Sequence, residues 1–372
     1  MWNILAVLIN LKNHNINKKA LGYMMLVTII SIIGAGIIFT GLEKEVSITD
    51  GVYWSAVTFF TVGYGDILPK TLASKAFMMV YAFWGQLVWL TFTAFGLGAI
   101  LAIIEGGRRG RQHIHGQNLI LIVDPVDEHH FRAILEALRA KGLWYKVVLV
   151  SNRFEELPSL PKTLGKVAFV RGDPLDIATY HQAGLQHAIA VVVCAQGFNN
   201  PENDRRTAAI CRLVEKVRAE VITVSEILVE GNLRLVNRTT WSVDSTVLVD
   251  RAICRKLAQR VVEIAAGQEV TVKFKAFDEL KGQEFEKCLS DLGVQFFRSE
   301  ENPAIEIVFA SDLDDPEKSD ALASTQAENS EAKHVLVEFL SVRHAELFKG
   351  HEALCLDQAV AEEVAAQLAS RC

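Results

Sequence analysis

Hydrophobic and polar positions divide the chain into two parts with different patterns. Residues 20–42 carry no charged side chain, and neither do residues 76–104. At 1.5 Å per residue these runs make helices of about 34 and 43 Å, whereas the apolar core of a bilayer is about 30 Å thick. Beyond Gly106, short apolar runs alternate with helix-like patterns rich in charge. We therefore predict two membrane-spanning helices followed by a water-soluble region.

The connection between the two spans is too apolar in its middle to be a plain loop. Residues 50–61 predict a short helix that begins near Asp50, enters the membrane and returns. Residues 1–19 precede the first span, and their apolar positions fit either an interfacial amphipathic helix or a frayed terminus. Lysines before the first span and arginines after the second predict a multi-pass protein of the cell (plasma) membrane with both termini in the cytoplasm.

Composition narrows the function of the soluble part. The net charge of -6 and the pI near 6.0 argue against nucleic acid as a partner, which would require a basic face. All six cysteines lie after residue 193 and lack the close paired spacing of zinc or redox motifs. Reduced thiols in a cytosolic domain are the expected state.

A hexapeptide directly after the short helix carries the strongest signal. It consists of Thr61, Val62, Gly63, Tyr64, Gly65 and Asp66. A potassium ion that leaves water needs a ring of oxygens in place of its hydration shell, and this sequence matches that of a potassium selectivity filter. Its two glycines permit the positive φ values that turn the carbonyls to one side. A glycine-rich turn is the alternative, but the position between two spans disfavours it. We predict K⁺ as the transported ion and a homotetramer, because four subunits close the ring.

Residues 20–104 resemble the pore of two-transmembrane potassium channels. In that family a glycine of the inner helix often serves as a gating hinge, and the resemblance suggests Gly85, with Gly96 and Gly98 as further candidates. Close helix packing is the alternative use of a membrane glycine. Val57 occupies the position at which some family members place a glutamate that pairs with the filter aspartate, so Asp66 lacks that partner.

The soluble part begins with a glycine- and arginine-rich linker, residues 105–117. Strands alternating with helices then predict a parallel, Rossmann-like sheet. The predicted strands are 119–123, 146–150, 167–170, 190–193 and 221–224, and the helices include 131–138 and 206–217.

Residues 118–262 resemble the RCK domain, the regulator of potassium conductance. The resemblance rests on five stretches: 170–174 (Val-Arg-Gly-Asp-Pro), 182–185, 187–193, 203–204 and 224–226. Members of that family pair into a gating ring that pulls on the inner helices when a ligand binds. Residues 263–372 predict a small α/β lobe with strands 270–274, 305–309 and 335–340, and the composition of 310–333 predicts a disordered insertion.

The regulatory ligand is unknown from the sequence, because both familiar sites are incomplete. A dinucleotide such as NAD needs a glycine turn after the first strand, but residues 118–138 contain no glycine. Calcium-gated relatives place carboxylates at three positions; Glu226 matches one of them, whereas Cys194 and Leu228 occupy the other two. Calcium prefers six to eight oxygens, so one carboxylate does not form this site. Candidate regulatory residues are Glu226, Asp173 and Asp204.

Other charged groups allow two weaker hypotheses. A divalent metal could bind the cluster after the first strand, which consists of Asp124, Asp127, Glu128, His129 and His130. The alternative is a solvent-exposed helix start, where acidic residues are common. Arg153 and Arg171 could hold an anion or could be ordinary surface charges.

Three functions are therefore compared. The first is a tetrameric potassium channel gated by the RCK domain through bending of the inner helix. The second is a channel whose degenerate RCK domain is only an assembly scaffold without ligand. The third is a membrane-anchored, nucleotide-dependent oxidoreductase, which the missing glycine turn and the complete filter argue against. We expect a channel and not an enzyme.

Overall fold

The computed structural model divides the chain into two compact units, residues 1–107 and 108–372. The predicted N-terminal segment 1–19 lies outside the described residues except for its last two positions. The described residues are 18–196, 202–238, 241–265, 269–275, 279–298, 303–309, 316–330, 332, 334–339, 346–348 and 352–372.

Among its described residues, the first unit has three helices: α1 (Lys18–Leu42), α2 (Ile48–Phe59) and α3 (Leu72–Arg108). Two of them are long and apolar enough to cross a membrane, α1 over Gly22–Leu42 and α3 over its full length. Most of their apolar side chains are exposed in the single chain, which suits a lipid or protein surrounding. The two spans and the short helix between them were predicted from the sequence.

Helix α3 is longer than its uncharged run. It begins at Leu72 because the Thr71 hydroxyl accepts a hydrogen bond from the Ser74 amide at 3.1 Å, as an N-cap does. It continues to Arg108, so the first four residues of the predicted linker 105–117 are helical. The prediction of 76–104 placed both ends too far inward, because a charged residue at each end, Lys75 and Glu105, interrupts the apolar run without interrupting a helix.

The second unit is built on a six-stranded parallel sheet in the order β3-β2-β1-β4-β5-β8. This is the doubly wound order, with a switch point between β1 and β4. Alternate residues of β1 face two different cores, Ile120 and Ile122 on one side, Leu119 and Leu121 on the other. The elements up to the end of this sheet are β1 (Leu119–Val123), α4 (Glu128–Ala140), β2 (Lys146–Ser151), β3 (Val167–Arg171), α5 (Ile177–Ala183), β4 (Ala188–Val193), α6 (Glu202–Val217), β5 (Ile222–Ile227), α7 (Leu233–Val236), β6 (Asn237–Arg238), β7 (Trp241–Ser242) and β8 (Ser245–Leu248).

A second parallel sheet follows in the order β10-β9-β11-β12-β13. One hydrophobic core runs from the first sheet into this lobe, where the last helix packs against α4. The remaining elements are α8 (Val249–Ala265), β9 (Val270–Lys275), α9 (Glu279–Asp291), β10 (Phe296–Arg298), β11 (Ile305–Val308), α10 (Pro316–Glu328), β12 (His334–Phe339), β13 (Glu352–Cys355) and α11 (Leu356–Ala369).

The prediction of disorder over 310–333 is wrong for the described part of that segment. Helix α10 lies within it and packs against β12. Its buried side chains, Asp320, Ala323, Ser324 and Ala327, are spaced three and four residues apart. Small side chains at this spacing form a narrow helical face that can approach a sheet closely, although the average composition of the segment is polar.

Candidate pore and regulatory site

The segment predicted to be the filter leaves the C-terminal end of α2 in an alternating backbone conformation. Thr61, Gly63 and Gly65 have φ of 55°, 59° and 76°, and the two residues between them do not have positive φ. Alternation of left- and right-handed residues turns successive amides to one side and successive carbonyls to the other. All six residues, Thr61 to Asp66, are exposed in the single chain. The backbone can therefore offer a row of oxygens to an ion.

Helix α2, which ends at this segment, is held tightly against α1. Gly36 and Gly51 form the crossing point, where a methyl group on Gly51 would lie 2.6 Å from the Gly36 carbonyl oxygen. Next to it the rings of Phe39 and Trp54 stack at 3.8 Å. The sequence analysis did not identify this crossing. The available signal was the presence of glycines in both helices, among them Gly36 in α1 and Gly51 in α2.

A hydroxyl pair connects α2 to both spans. Ser55 Oγ lies 2.6 Å from the Tyr81 hydroxyl on α3, and Ser55 Oγ also donates to the Ile32 carbonyl of α1 at 2.8 Å. Both Ser55 and Tyr81 are buried. The polar atoms thus fix the depth and rotation of α2, on which the position of the filter segment depends.

The three glycines proposed as hinges have different surroundings within the chain. A methyl group on Gly85 would lie 3.2 Å from the Phe59 ring, at the last residue of α2, so Gly85 is a packing position. Gly96 and Gly98 have no atom within 4 Å of such a methyl group. Helix α3 is continuous through all three positions. Their role as hinges stays a prediction.

Asp66 at the end of the filter segment has a partner that the sequence analysis missed. The Tyr53 hydroxyl on α2 interacts electrostatically with Asp66, and Asp66 Oδ1 accepts from the Ile67 amide at 3.1 Å. Val57 stands where some potassium channels place a glutamate, but a tyrosine four residues earlier reaches the same carboxylate. One helical turn separates the two positions, which explains how either can face the filter.

A second carboxylate, Glu43, joins the end of α1 to the start of α3. Glu43 Oε1 accepts hydrogen bonds from the amides of Lys70 and Thr71 at 2.6 and 2.9 Å and from Ser74 Oγ at 2.6 Å. These bonds, the one from Ser74 first, lower the pKa of Glu43 to about 2. The carboxylate is therefore ionised at neutral pH and stabilises the positive end of α3.

In the second unit, the turn after β1 is occupied by the Asp124 side chain. Asp124 is fully buried with φ of 57°. It accepts from Ser151 Oγ at 3.1 Å, is hydrogen-bonded by Gln196, and lies 3.4 Å from the Arg206 guanidinium. A glycine at this left-handed position would leave room for a pyrophosphate, but here a carboxylate with its own partners fills the turn.

The predicted metal cluster of Asp124, Asp127, Glu128, His129 and His130 is not gathered into one site. Asp127 is the N-cap of α4 and accepts from the His130 amide at 2.9 Å. Glu128 is exposed on the first turn. Successive residues of a helix point in directions about 100° apart, so neighbouring side chains diverge. His129 is half-buried, and His130 is a residue of the first turn of α4 that turns into the protein.

The imidazole of His130 instead meets two residues from distant strands. Its Nε2 lies 3.1 Å from Glu226 Oε1, and Glu226 Oε2 accepts from the Ala195 amide at 2.9 Å. One ligand atom each of His130, Glu226 and Cys194 lies within 4.8 Å of the others. Burial lowers the His130 pKa, but the Glu226 carboxylate more than offsets this and raises it to about 9. Burial also holds the pKa of the Cys194 thiol far above its usual range.

The other proposed ligand residues have separate partners. Asp204 is buried and accepts from the amides of Leu228 and Val229 and from Asn232 Nδ2. Asp173 is half exposed and lies 3.6 Å from the Arg206 guanidinium. Glu226, Asp173 and Asp204 therefore do not form one site.

Of the two arginines considered for an anion, Arg153 donates to the carbonyls of Val126 and Gln196 at 3.3 and 3.0 Å. Arg171 lies at the exposed end of β3. Neither arginine contributes to a common anion pocket with the other in the described contacts.

Comparison with known proteins gives relatives for both units. Residues 23–101 match the family described as an ion channel. "Putative potassium channel protein YugO" of Bacillus subtilis is 24% identical over 267 residues, which cover 66% of this chain and 76% of YugO. The voltage-gated potassium channel Kch of Escherichia coli is 25% identical over 194 residues, which cover 50% of this chain but only 43% of Kch.

Solved structures of one channel share the fold over nearly the whole chain. The GsuK channel aligns with a TM-score of 0.61 at 15% identity and covers 96% of this chain and 100% of its own. GsuK bound to NAD aligns with a TM-score of 0.59 at 11% identity, over 95% of this chain and 84% of its own. These relatives are channels, not enzymes. Residues 23–101 thus match the ion-channel family, and the chain is similar to potassium channels in sequence and to the GsuK channel in fold.

Proposed function

We propose that this chain is one subunit of a homotetrameric, potassium-selective channel of the cell membrane, with both termini in the cytoplasm. The observation that carries the proposal is the Thr61–Asp66 segment, whose sequence and alternating φ values suit a ring of carbonyl oxygens. The carbonyls of Thr61, Val62, Gly63 and Tyr64 and the Thr61 hydroxyl line the path. Four copies are needed because one segment supplies only one side of each ring.

Side chains that are exposed in the single chain support its assembly into an oligomer. Val62 is 51% exposed and Tyr64 is 70% exposed, although both belong to the segment on which selectivity depends. Apolar and aromatic surface of this kind is normally covered by a partner. Neighbouring subunits and their α2 helices are the partners that the proposal supplies.

The cytosolic unit regulates the pore in this proposal. RCK domains of the four subunits pair into a gating ring, and ligand binding bends or moves α3, with Gly85, Gly96 and Gly98 as the candidate hinge positions. The domain limits are 20–104 for the pore, 118–262 for the RCK lobe and 263–372 for the C-terminal lobe.

A nucleotide is disfavoured as the regulatory ligand, although GsuK has been solved with ADP and with NAD. Here the buried Asp124 carboxylate fills the turn that a pyrophosphate would approach. Like charges within a buried site repel, so a phosphate would have to displace both Asp124 and its partners. The second candidate function is an assembly scaffold without ligand. It is favoured because the contacts of Asp124 and Asp204 within the protein leave neither carboxylate available to a ligand.

The test is a bilayer recording of the purified full chain with potassium on one side and sodium on the other. A reversal potential near the potassium equilibrium value is expected for the native chain. Gly63→Ala should lose selectivity or current, because alanine resists the left-handed conformation at φ of 59°. Gly34→Ala is the matched control, since a methyl group on Gly34 meets no atom within 4 Å.

Two outcomes separate the candidate functions. Open probability that changes with Ca²⁺, nucleotide, transition metal or pH on the cytosolic side would support ligand gating and name the ligand. Potassium-selective current that ignores all of these would support the scaffold. Intact tetramers without potassium-selective current under any condition would overturn the proposal.

A further inference from the structure

The carboxyl ends of β1, β4 and β5 meet at the switch point of the first sheet, where ligands of doubly wound proteins bind. Cys194 directly follows β4, Glu226 lies near the end of β5, and His130 lies on the first turn of α4, which follows β1. Three elements that are distant in sequence thus deliver a thiol, a carboxylate and an imidazole to one point. The ligand atoms lie within 4.8 Å of one another.

These three side chains are fully buried, at 0% exposure each. Burying a histidine, a carboxylate and a thiol together is costly unless something compensates them. A hydrogen bond of 3.1 Å joins His130 to Glu226, and Glu226 also interacts with the Cys194 thiol. A divalent cation would account for all three, because its two charges neutralise one thiolate and one carboxylate while the imidazole stays neutral.

We propose that His130, Cys194 and Glu226 bind one divalent transition-metal ion of the zinc class. Mixed sulfur, nitrogen and oxygen ligands select such ions, whereas calcium and magnesium require oxygen sets. This deepens the proposed function, since the ion is the regulatory ligand of the proposed channel.

The geometry requires only small movements. A tetrahedral zinc ion with bonds of about 2.0–2.3 Å holds its ligand atoms roughly 3.3–3.6 Å apart. The present separations are 3.1 Å for His130 to Glu226 and no more than 4.8 Å for the others. Binding replaces the His130–Glu226 hydrogen bond by two metal bonds and releases the proton of that bond and the Cys194 thiol proton to solvent, while Glu226 Oε2 keeps the Ala195 amide as an outer partner.

The site lies where the two lobes of the cytosolic unit meet. Asp357, 3% exposed on the first turn of α11, interacts electrostatically with both His130 and Glu226. Helix α11 belongs to the C-terminal lobe and packs on α4 of the first lobe. A metal bond to His130 therefore changes the contact between the two lobes. Through this contact, metal binding at the site can affect the rest of the molecule.

The experiment uses full-length protein in detergent, purified without a metal-affinity tag and carrying Cys372→Ser to remove the exposed thiol. Cobalt(II) is the probe, because a thiolate ligand gives a charge-transfer absorption in the near ultraviolet. We expect one cobalt per chain with that band, displaced by zinc. Cys194→Ala should abolish the band and weaken binding at least about 100-fold. Cys211→Ala is the matched control, since Cys211 is equally buried on α6 but outside the cluster.

Stoichiometric cobalt without the thiolate band, retention of the band in Cys194→Ala, or no binding at micromolar metal would each overturn the metal site. If Cys194→Ala does not fold, Cys194→Ser is read by the same criteria, because serine also removes the sulfur ligand. Because the absorption does not depend on conduction, failure of the site and failure of the channel are separate. Metal binding without potassium current refutes only the proposed function, and current without metal binding refutes only the site.

Discussion

Glu43 is the residue whose charge should matter most for the pore unit at low pH. Its pKa of about 2 lies below the ordinary value of 4.5, so ionised Glu43 stabilises the folded state. The sign follows from linkage: the contribution is complete above pH 4.5 and is lost as the pH falls toward about 2. We predict that Glu43→Gln lowers the melting temperature of the detergent-solubilised protein at neutral pH and flattens its acid dependence.

Glu45→Gln is the control for this prediction. Glu45 is 83% exposed and pairs with Lys70, which is 73% exposed, and such surface pairs contribute little. A melting temperature that falls equally in the two variants would contradict the assigned role of Glu43. The quantity to compare is the slope of melting temperature against pH. A general loss of stability lowers the melting temperature at every pH but does not change this slope.

Gly51 is a second residue whose substitution tests the structure, because one added carbon atom would disturb the packing of α2 on α1. Its methyl group in Gly51→Ala would lie 2.6 Å from the Gly36 carbonyl oxygen and would push α2 away from α1. Overpacking costs about 1–3 kcal/mol, and here the displaced helix carries the filter segment. We predict a lower melting temperature and a loss of potassium-selective current.

Gly34→Ala on α1 serves as the comparison, because its methyl group meets no atom within 4 Å. Gly34→Ala should retain both the melting temperature and the current. Native behaviour of Gly51→Ala would mean that the crossing of α1 and α2 is looser than the structure describes.

Among the elements, α10 is a helix in a segment whose composition predicts disorder. Residues 310–333 have the average composition of a disordered segment, but the burial of Ala323 and Ala327 shows a helical face. Averages over a segment hide this face, because four small residues at helical spacing are outnumbered by charged neighbours.

We therefore predict that Ala327→Glu unfolds α10, because a charge would be buried against β12, and that Gln326→Glu does not. The two substitutions introduce the same residue at adjacent positions, one buried and one exposed. Limited proteolysis of the full chain should cut Ala327→Glu within 310–333 much faster than Gln326→Glu. Equal cleavage of both variants would restore the interpretation of this segment as disordered.

A buried ion pair connects α9 to β12 in the C-terminal lobe. Lys281 Nζ lies 2.6 Å from Glu338 Oε1, and the side chains are 7% and 0% exposed. Burial lowers the Lys281 pKa, but Glu338 and Asp250 outweigh it and keep the amine charged. Lys281→Met would leave Glu338 buried without a cation, which costs about 3–5 kcal/mol.

The expected result is a markedly lower melting temperature of the second unit in the full chain. The double variant Lys281→Met/Glu338→Leu should recover most of the loss, since no charge is then left unpaired. Lys287→Met provides the exposed control at 51% exposure. A double variant as unstable as the single one would indicate that packing, rather than charge, explains the effect.

At the scale of the whole molecule, features that repeat or are contiguous along the sequence can be predicted from it. A site formed by residues that are distant in sequence cannot. The hexapeptide Thr61–Asp66 and the alternation of strands and helices are local patterns, and both were predicted. Cys194 and Glu226 were compared with a calcium site, and His130 was grouped with its neighbours in sequence. Only the strand order β1-β4-β5 places the three together. Their mixed chemistry was visible in the sequence, but their proximity was not.

The proposed assembly from four copies gives the last prediction, because one defective subunit should then silence a whole pore. Gly63→Ala removes a left-handed glycine from one of four filter segments, and an ion must pass all four together. If native and Gly63→Ala subunits are co-expressed equally and mix at random, about one sixteenth of the tetramers are entirely native. Selective potassium current should fall to that fraction. Co-expression with Gly34→Ala should leave it unchanged, and a fall to one half would mean that each chain conducts alone, which contradicts a shared ring.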